Sequence, residues 1–332
     1  MNLKLNSRTT PKYIALISIF SALYAMLRYL PLGPMIGLAG SFSLSDALAP
    51  LIGIIIGPFA GGISVITGTF AAIAFGKPVM FFGLDFLPGF INCVAMGFLI
   101  KRKWAPIIAL YALLLGIFIV SPHSLLSVQV GSLAIPFTWL HIVAFIVFLS
   151  PLRSIAVNNI KKVNNTHKTA SNQQQQQHHK SNNSVILGTI SGVILGVILG
   201  IIAGQILSLS ISSNIILSIS AGTILGIIWY AVMKFIKKVN MQNMTYSLII
   251  LAFIGTMLQH MTGSLLTQLT VGVFGEGTDF TAMWTAIFYV YPFERILIVL
   301  FTVCIGVPLI IAIKKSMLPF ETPINEQEKS IT

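Results

Sequence analysis

Residues 42–59 read FSLSDALAPLIGIIIGPF and place a carboxylate, Asp46, at the start of an apolar helix that stops at Gly57-Pro58. A charged side chain in a membrane segment is costly unless it pairs with another group or faces a polar cavity. Proline cannot continue the helix, and a Gly-Gly pair three residues further on lets the next helix pack closely. The stretch therefore predicts a short membrane helix that presents Asp46 to a bound solute.

The composition extends this interpretation to the whole chain. Of its 332 residues, 55% are hydrophobic and 8% are charged, whereas soluble domains carry about 25% charged residues. Apolar runs of roughly 20 residues recur, and each is long enough for a hydrocarbon core about 30 Å thick. The sequence predicts an all-α, polytopic bundle of about ten transmembrane helices that lies in the cell membrane, with the lipid bilayer around it.

The predicted spans follow the apolar runs, and they divide the chain into four regions. The regions are an N-terminal membrane region (1–153), a low-complexity cytoplasmic linker (154–184), a C-terminal membrane region (185–315) and a cytoplasmic tail (316–332). The spans are assigned to residues 13–30, 44–57, 58–76, 86–100, 104–121, 137–153, 185–207, 215–233, 246–270 and 284–313. The second and third are short, so they could instead form a bent or re-entrant pair.

The net charge of +12 would also suit a nucleic-acid-binding protein, but the positions of the basic residues favour a membrane topology. Lys and Arg cluster in the segments between apolar runs, as they do in cytoplasmic loops. The clusters lie at residues 4–12, 101–103, 161–162, 234–238 and 314–315. We therefore predict a multi-pass protein with cytoplasmic N- and C-termini and no nucleic-acid partner.

No catalytic triad, paired catalytic carboxylates or nucleotide-binding fingerprint is visible in the sequence. Cys93 and Cys304 lie in apolar segments and form neither a disulfide framework nor a metal motif. The pair His178-His179, in the predicted linker, has no further ligand at a fixed spacing. We therefore expect a protein that is not an enzyme and that holds no cofactor or metal.

The few polar residues in or near the predicted spans are the candidates for a binding site. Arg28 and Asp46 flank the segment 31–43; they could pair with each other, or they could bind a charged or zwitterionic solute. Gln259-His260 lies within the ninth span.

His260 is either a packed, hydrogen-bonded residue or part of a polar cavity wall together with Thr262, Ser264 and Gln268. Glu294 and Arg295 are adjacent, so we expect them to point in different directions and to need different partners. The predicted substrate-binding residues are Arg28, Asp46, Asn92, His260, Glu294 and Arg295.

Three passages resemble the substrate-binding S component of energy-coupling factor (ECF) transporters. They are IALISIFSALYAMLRYLP after the basic start, FSLSDALAPLIGIIIGPFAGGISVITG with its Gly-Pro break, and YVYPFERILIVLFTVCIGVPLIIAIKK with its basic end. The resemblance implies a six-helix membrane protein that binds a vitamin or vitamin precursor. It also implies that residues 32–42 form a lid over the site.

The resemblance further implies a transmembrane coupling subunit, which docks on small residues of the first helix, and separate ATPase subunits. Ser18 with Ala22, or Ser21 with Ala25, has the required spacing, although the family favours alanine at both positions. The chain also has about four more spans than a family member needs. Either spans five to eight are an insertion into a core of spans one to four, nine and ten, or the extra helices replace or extend the coupling surface.

Two other functions remain open at the level of sequence. An autonomous secondary transporter of a small solute would show internal symmetry and interrupted helices, and no convincing repeat relates residues 1–153 to residues 185–313. A membrane enzyme acting on lipid-linked substrates would show clustered polar residues at the membrane surface. The polar residues here are scattered among several spans.

Overall fold

The computed structural model describes residues 10–38, 40–165, 242–274 and 278–315. The chain divides into two compact units, Met1–Asn164 with Tyr246–Thr332, and Asn165–Thr245. The features described below belong to the first unit. The predicted seventh and eighth spans, the His178-His179 pair and the predicted tail 316–332 lie outside the described residues.

The described residues are mostly helical, which confirms the all-α prediction. Each predicted span in the described ranges coincides with a helix. The helices are α1 (Thr10–Leu27), α2 (Ser45–Ile56), α3 (Pro58–Ala74), α4 (Leu87–Ile100), α5 (Ala105–Val120), α6 (Trp139–Leu149), α7 (Leu152–Asn165), α8 (Gln242–Phe274) and α9 (Phe280–Lys315).

The described helices differ in whether they are long enough to cross a membrane. Among the described residues, two stretches are long and apolar enough to span a membrane, Asn243–Val273 of α8 and Phe280–Ile313 of α9. Helices α6 and α7, bent by 64° at their junction, would make a third if counted as one span. The other apolar helices have 10–17 residues, so at 1.5 Å per residue the longest reaches only about 26 Å. Helix length therefore supports two or three spans here, not the full predicted set.

Helix α2 lies at the centre of the unit. All twelve of its residues are buried, and it packs against α1, α3, α4 and α9. The closest approach is at Gly53, where an added Cβ atom would overlap the carbonyl oxygen of Cys93 in α4. The absence of a side chain at Gly53 is therefore what lets the two backbones touch.

We expect Gly53→Ala to destabilise the protein by about 1–3 kcal/mol, since the new methyl group overpacks the contact between α2 and α4. The matched control is Gly116→Ala in α5, where an added Cβ meets no atom within 4 Å. There alanine should be neutral or stabilising, because it is the better helix former by roughly 0.5–1 kcal/mol. The measurement is the midpoint of thermal unfolding in detergent. Equal midpoints for both variants would contradict the described packing.

The predicted break at Gly57-Pro58 is confirmed. Gly57 has φ of +84°, in the left-handed region that glycine adopts without strain, and Pro58 is the first residue of α3. An added Cβ at Gly61 would lie 2.7 Å from Cys93 Sγ, and one at Gly62 would lie 2.7 Å from the Phe90 ring. The glycine pair therefore brings α3 against α4, as a close-packing motif should.

Two short antiparallel hairpins interrupt the helices, and the sequence did not predict them. The first joins β1 (Pro31–Pro34) to β2 (Ser41–Ser43), and the second joins β3 (Ser127–Val130) to β4 (Leu133–Pro136). The first occupies the segment that the resemblance assigns to a lid. Two prolines lie in β1, and proline within a run argues against a strand. The hairpin could therefore not be recognised from the sequence pattern.

Helix α7 runs from Leu152 to Asn165, so it overlaps the first residues of the segment 154–184 that the sequence assigns to a linker. Its residues Ala156, Val157 and Ile160 are buried, so a buried apolar face stabilises a helix in a segment of polar composition. Helices α5 and α6 also belong to the first unit.

The two predicted coupling pairs of α1 differ in their exposure. Ser18 and Ala22 are exposed, whereas Ser21 and Ala25 are buried. Ser21 faces α3, since an added Cβ at Gly68 would lie 2.6 Å from the Ser21 carbonyl oxygen. The pair Ser21 and Ala25 is therefore covered by the protein itself, whereas Ser18 and Ala22 lie on the surface of α1.

Candidate functional site

Most of the buried charged side chains among the described residues line one cavity. Its walls come from α1, α2, α8 and α9, from the β1–β2 hairpin, and from the loop that precedes α4. The empty volume is about 830 Å³, including solvent at the mouth. The charged residues and histidine that line it are Arg28, Asp46, Asp85, His260, Glu294 and Arg295.

Five of the six predicted binding residues line this cavity, and the sixth stands behind it. Asn92 of α4 is fully buried, and its Nδ2 donates to Gln259 Oε1 at 2.7 Å. Gln259 Nε2 in turn donates to Asp46 Oδ1 at 2.7 Å. Asn92 therefore acts on the cavity through Gln259, which is itself a lining residue.

Asp46 lies at the end of this hydrogen-bond chain. Its Oδ2 also accepts the backbone N–H of Ser43, at 3.1 Å. A carboxylate has about four lone-pair sites, so two of them remain for a ligand. No ion pair joins Asp46 to Arg28 within the described parts of the chain, so of the two roles that the sequence left open, the structural pairing is not what the structure shows.

We expect Gln259→Leu to lower the free energy of unfolding by about 1–3 kcal/mol, because it removes one donor from Asp46 and leaves Asn92 Nδ2 unpaired. The measurement is thermal unfolding of the variant in detergent. The matched control is Gln268→Leu on the same helix. Both glutamines are 5% exposed, but Gln268 Nε2 has no hydrogen-bond partner. The control should be close to neutral or stabilising, and a control that costs as much as Gln259→Leu would contradict the chain of hydrogen bonds.

The two arginines are deeply buried and incompletely paired. Arg28 is 6% exposed and Arg295 is 1% exposed. Arg295 Nη1 donates to Thr256 Oγ1 at 3.3 Å, and the guanidinium lies over the Phe42 ring at 4.8 Å. Arg28 Nε and Arg295 Nε and Nη2 have no hydrogen-bond partner. Both arginines that line the cavity therefore have buried N–H groups without a hydrogen-bond partner.

Glu294 and Arg295 were expected to have different partners, and the structure corrects this. Arg295 Nη2 and Glu294 Oε2 are 3.6 Å apart, within ion-pair distance but too far for a hydrogen bond. Both side chains line the cavity. Because both side chains are long, their charged ends approach each other even though the two residues are adjacent on the helix.

His260 is both packed and part of the wall. Its Nδ1 lies 2.9 Å from Nε2 of His141 in α6, and its ring stacks on Tyr291 with centroids 4.8 Å apart. The Tyr291 hydroxyl donates to the Phe137 carbonyl at 3.1 Å. Ser264 also lines the cavity. The two roles proposed for His260 from sequence are thus not exclusive.

Asp85 is a lining residue that the sequence did not single out as a binding residue. Its two oxygens accept the backbone N–H groups of Met80 and Phe81, at 2.8 and 3.1 Å, so it fixes the loop before α4. Nearby, burial and then the charge of Arg28 lower the pKa of Lys77. In the sequence, Asp85 is followed three residues later by Pro88-Gly89, and this pattern was the signal that Asp85 lies in a loop.

His141 was also missed, since nothing in the sequence tells which histidine meets His260 across 119 positions. Among the described residues, no group of three or more His, Cys, Asp or Glu side chains could hold a metal ion. The arrangement suits recognition of a polar organic molecule by charges, amides and aromatic rings. Comparison of the chain with protein-family models, curated proteins and solved structures found no match.

Proposed function

We propose that this chain is the membrane-embedded substrate-binding component of a micronutrient uptake transporter of the ECF type, and that it binds a vitamin or vitamin precursor. The observation that carries the proposal is the convergence of Arg28, Asp46, His260, Glu294 and Arg295 on one cavity. These residues come from both ends of the chain. Buried charges that surround a space are typical of a ligand site.

The membrane location is supported by exposed apolar side chains as well as by α8 and α9. Phe59, Phe75 and Val120 are 73–80% exposed, and large exposed apolar patches are rare on soluble monomers. We propose a multi-pass protein of about ten spans with both termini in the cytoplasm. The short helices would then cross a locally thin bilayer or end below its surface.

Partners follow from the resemblance and from the exposed face of α1. We propose that a transmembrane coupling subunit docks at Ser18 and Ala22, which are both exposed. Separate ATPase subunits would supply the energy. The β1–β2 hairpin would act as the lid, since Met35, Ile36 and Phe42 contribute to the cavity wall.

The experiment is thermal unfolding of the purified full-length protein against a panel of vitamins and their precursors. A ligand at 100 times its Kd should add about 2.7 kcal/mol to the folded state, which is a clear shift in midpoint. No shift with any compound would count against the proposal. Uptake in proteoliposomes driven by an ion gradient, without ATPase subunits, would instead favour a secondary transporter.

A further inference from the structure

The unused donors of Arg295 have a specific geometry. Nε and Nη2 carry N–H groups that point the same way along one edge of the planar guanidinium, and neither has a hydrogen-bond partner. Nη1 is engaged by Thr256, and the Phe42 ring covers one face. This edge is the fork that binds two oxygens of a carboxylate or phosphate. Both nitrogens are shielded from solvent, and Glu294 Oε2 lies 3.6 Å from Nη2, so the Glu294 side chain must move aside for a ligand oxygen to bind there. Leaving such donors buried and unpaired is costly.

The acids of the cavity limit how much negative charge a ligand can bring. Asp46 and Asp85 accept hydrogen bonds from neutral donors at both of their oxygens, and a carboxylate has no donor to offer to an anion. Glu294 approaches Arg295 only to 3.6 Å. The three acidic side chains of the lining, Asp46, Asp85 and Glu294, disfavour a ligand with a second negative charge, because like charges repel strongly in a buried site.

We propose that the solute carries a single carboxylate, which binds the Nε–Nη2 edge of Arg295 with Arg28 as the second cation. This inference rests on the proposed function and names the chemical class of the solute. The carboxylate accepts the donors that the protein leaves unused. Asp46 and Glu294 then face the uncharged, N–H-bearing part of the same molecule. This assignment predicts weaker binding of a dianionic phosphate ester, and of a vitamin whose only charge is positive, because neither presents a single carboxylate to Arg295.

The first test uses the wild-type full-length protein and matched pairs of compounds. The pairs are pantothenate with pantothenol, nicotinate with nicotinamide, and biotin with biotin amide, and thiamin serves as the cation. We expect one carboxylate to raise the unfolding midpoint and its uncharged partner to bind at least tenfold more weakly. Equal binding within a pair, or binding of thiamin alone, would overturn this inference and leave the proposed function standing. No binding by any vitamin or precursor would overturn both.

The second test changes the protein. Arg295→Lys keeps the charge but loses the fork, so we expect at least a tenfold rise in Kd for the carboxylate and little change for its uncharged partner. The matched control is Arg153→Met, which removes an arginine that lies over Trp104 and outside the cavity. It should leave Kd unchanged. A loss that is equal for both members of the pair would show that Arg295 serves only the fold.

Size-exclusion profiles and unfolding midpoints without ligand establish whether each variant is folded. If Arg295→Lys does not fold, Arg28→Lys tests the second cation, and the matched pairs on the wild-type protein still decide the inference. Retention of full carboxylate preference by a folded Arg295→Lys protein would overturn the assignment of the fork.

Discussion

Replacing Asp46 with asparagine is expected to weaken solute binding about 10- to 100-fold. Asparagine has the same shape, and the amides of Gln259 and Asn92 can rotate to keep the hydrogen-bond chain, so the change removes charge and leaves the fold. A hydrogen bond to a charged group contributes about 1.5–3 kcal/mol, and each 1.4 kcal/mol corresponds to roughly a factor of ten. The measurement is Kd by calorimetry for a ligand from the vitamin panel.

The matched control for this change is Asp279→Asn. Asp279 is exposed and accepts the Ala282 N–H at 3.0 Å near the start of α9, and asparagine can accept the same bond. It removes one negative charge far from the cavity lining, so Kd should stay within about twofold. If Asp46→Asn binds as tightly as the wild type, Asp46 only holds α2 to α8, and the site was assigned to the wrong role.

Placing phenylalanine at Ala22 is expected to abolish uptake while solute binding persists. Ala22 lies on the exposed face of α1, and a bulky ring there would keep another helix from close approach, which small residues allow. We expect more than a tenfold loss of ATP-dependent uptake in vesicles that contain the coupling and ATPase subunits. Kd of the isolated protein should not change, because Ala22 is absent from the cavity wall.

The same substitution elsewhere supplies the control. Ala112 is an exposed alanine in the middle of α5, and Ala112→Phe should leave both binding and uptake intact. A variant at Ala22 that transports normally would remove the coupling role from this face of α1. Loss of uptake in both variants would point to a general effect of bulky rings on insertion into the membrane.

The sequence predicted where helices occur because apolar runs broken by Gly-Pro or by basic clusters define them well. Helix length supports fewer spans among the described residues than the sequence predicts, since the apolar run that predicted α2 forms a helix of only 12 residues. In the structure α2 is buried by other helices on every side. The hairpins and α7 were missed because prolines and polar residues conceal structure that packing alone stabilises.

The binding residues were predicted from the rarity of charged side chains in apolar segments. Each charged side chain predicted from an apolar context, such as Asp46 and Arg295, does line the cavity. The neutral groups were harder to place. Gln259 and His141 matter through partners that lie far away in the sequence, and no local pattern reveals which amide or ring they will meet.

The unpaired N–H groups of Arg28 and Arg295 also affect how much of this protein accumulates in a cell. Under the proposed function, the vacant cavity leaves Arg28 Nε and Arg295 Nε and Nη2 without hydrogen-bond partners, so the vacant form is the less stable one. Proteases remove partly unfolded chains continuously, and a difference of 1–2 kcal/mol changes steady-state abundance several-fold. Nutrient supply would thereby set the lifetime of its own receptor, without any change in transcription.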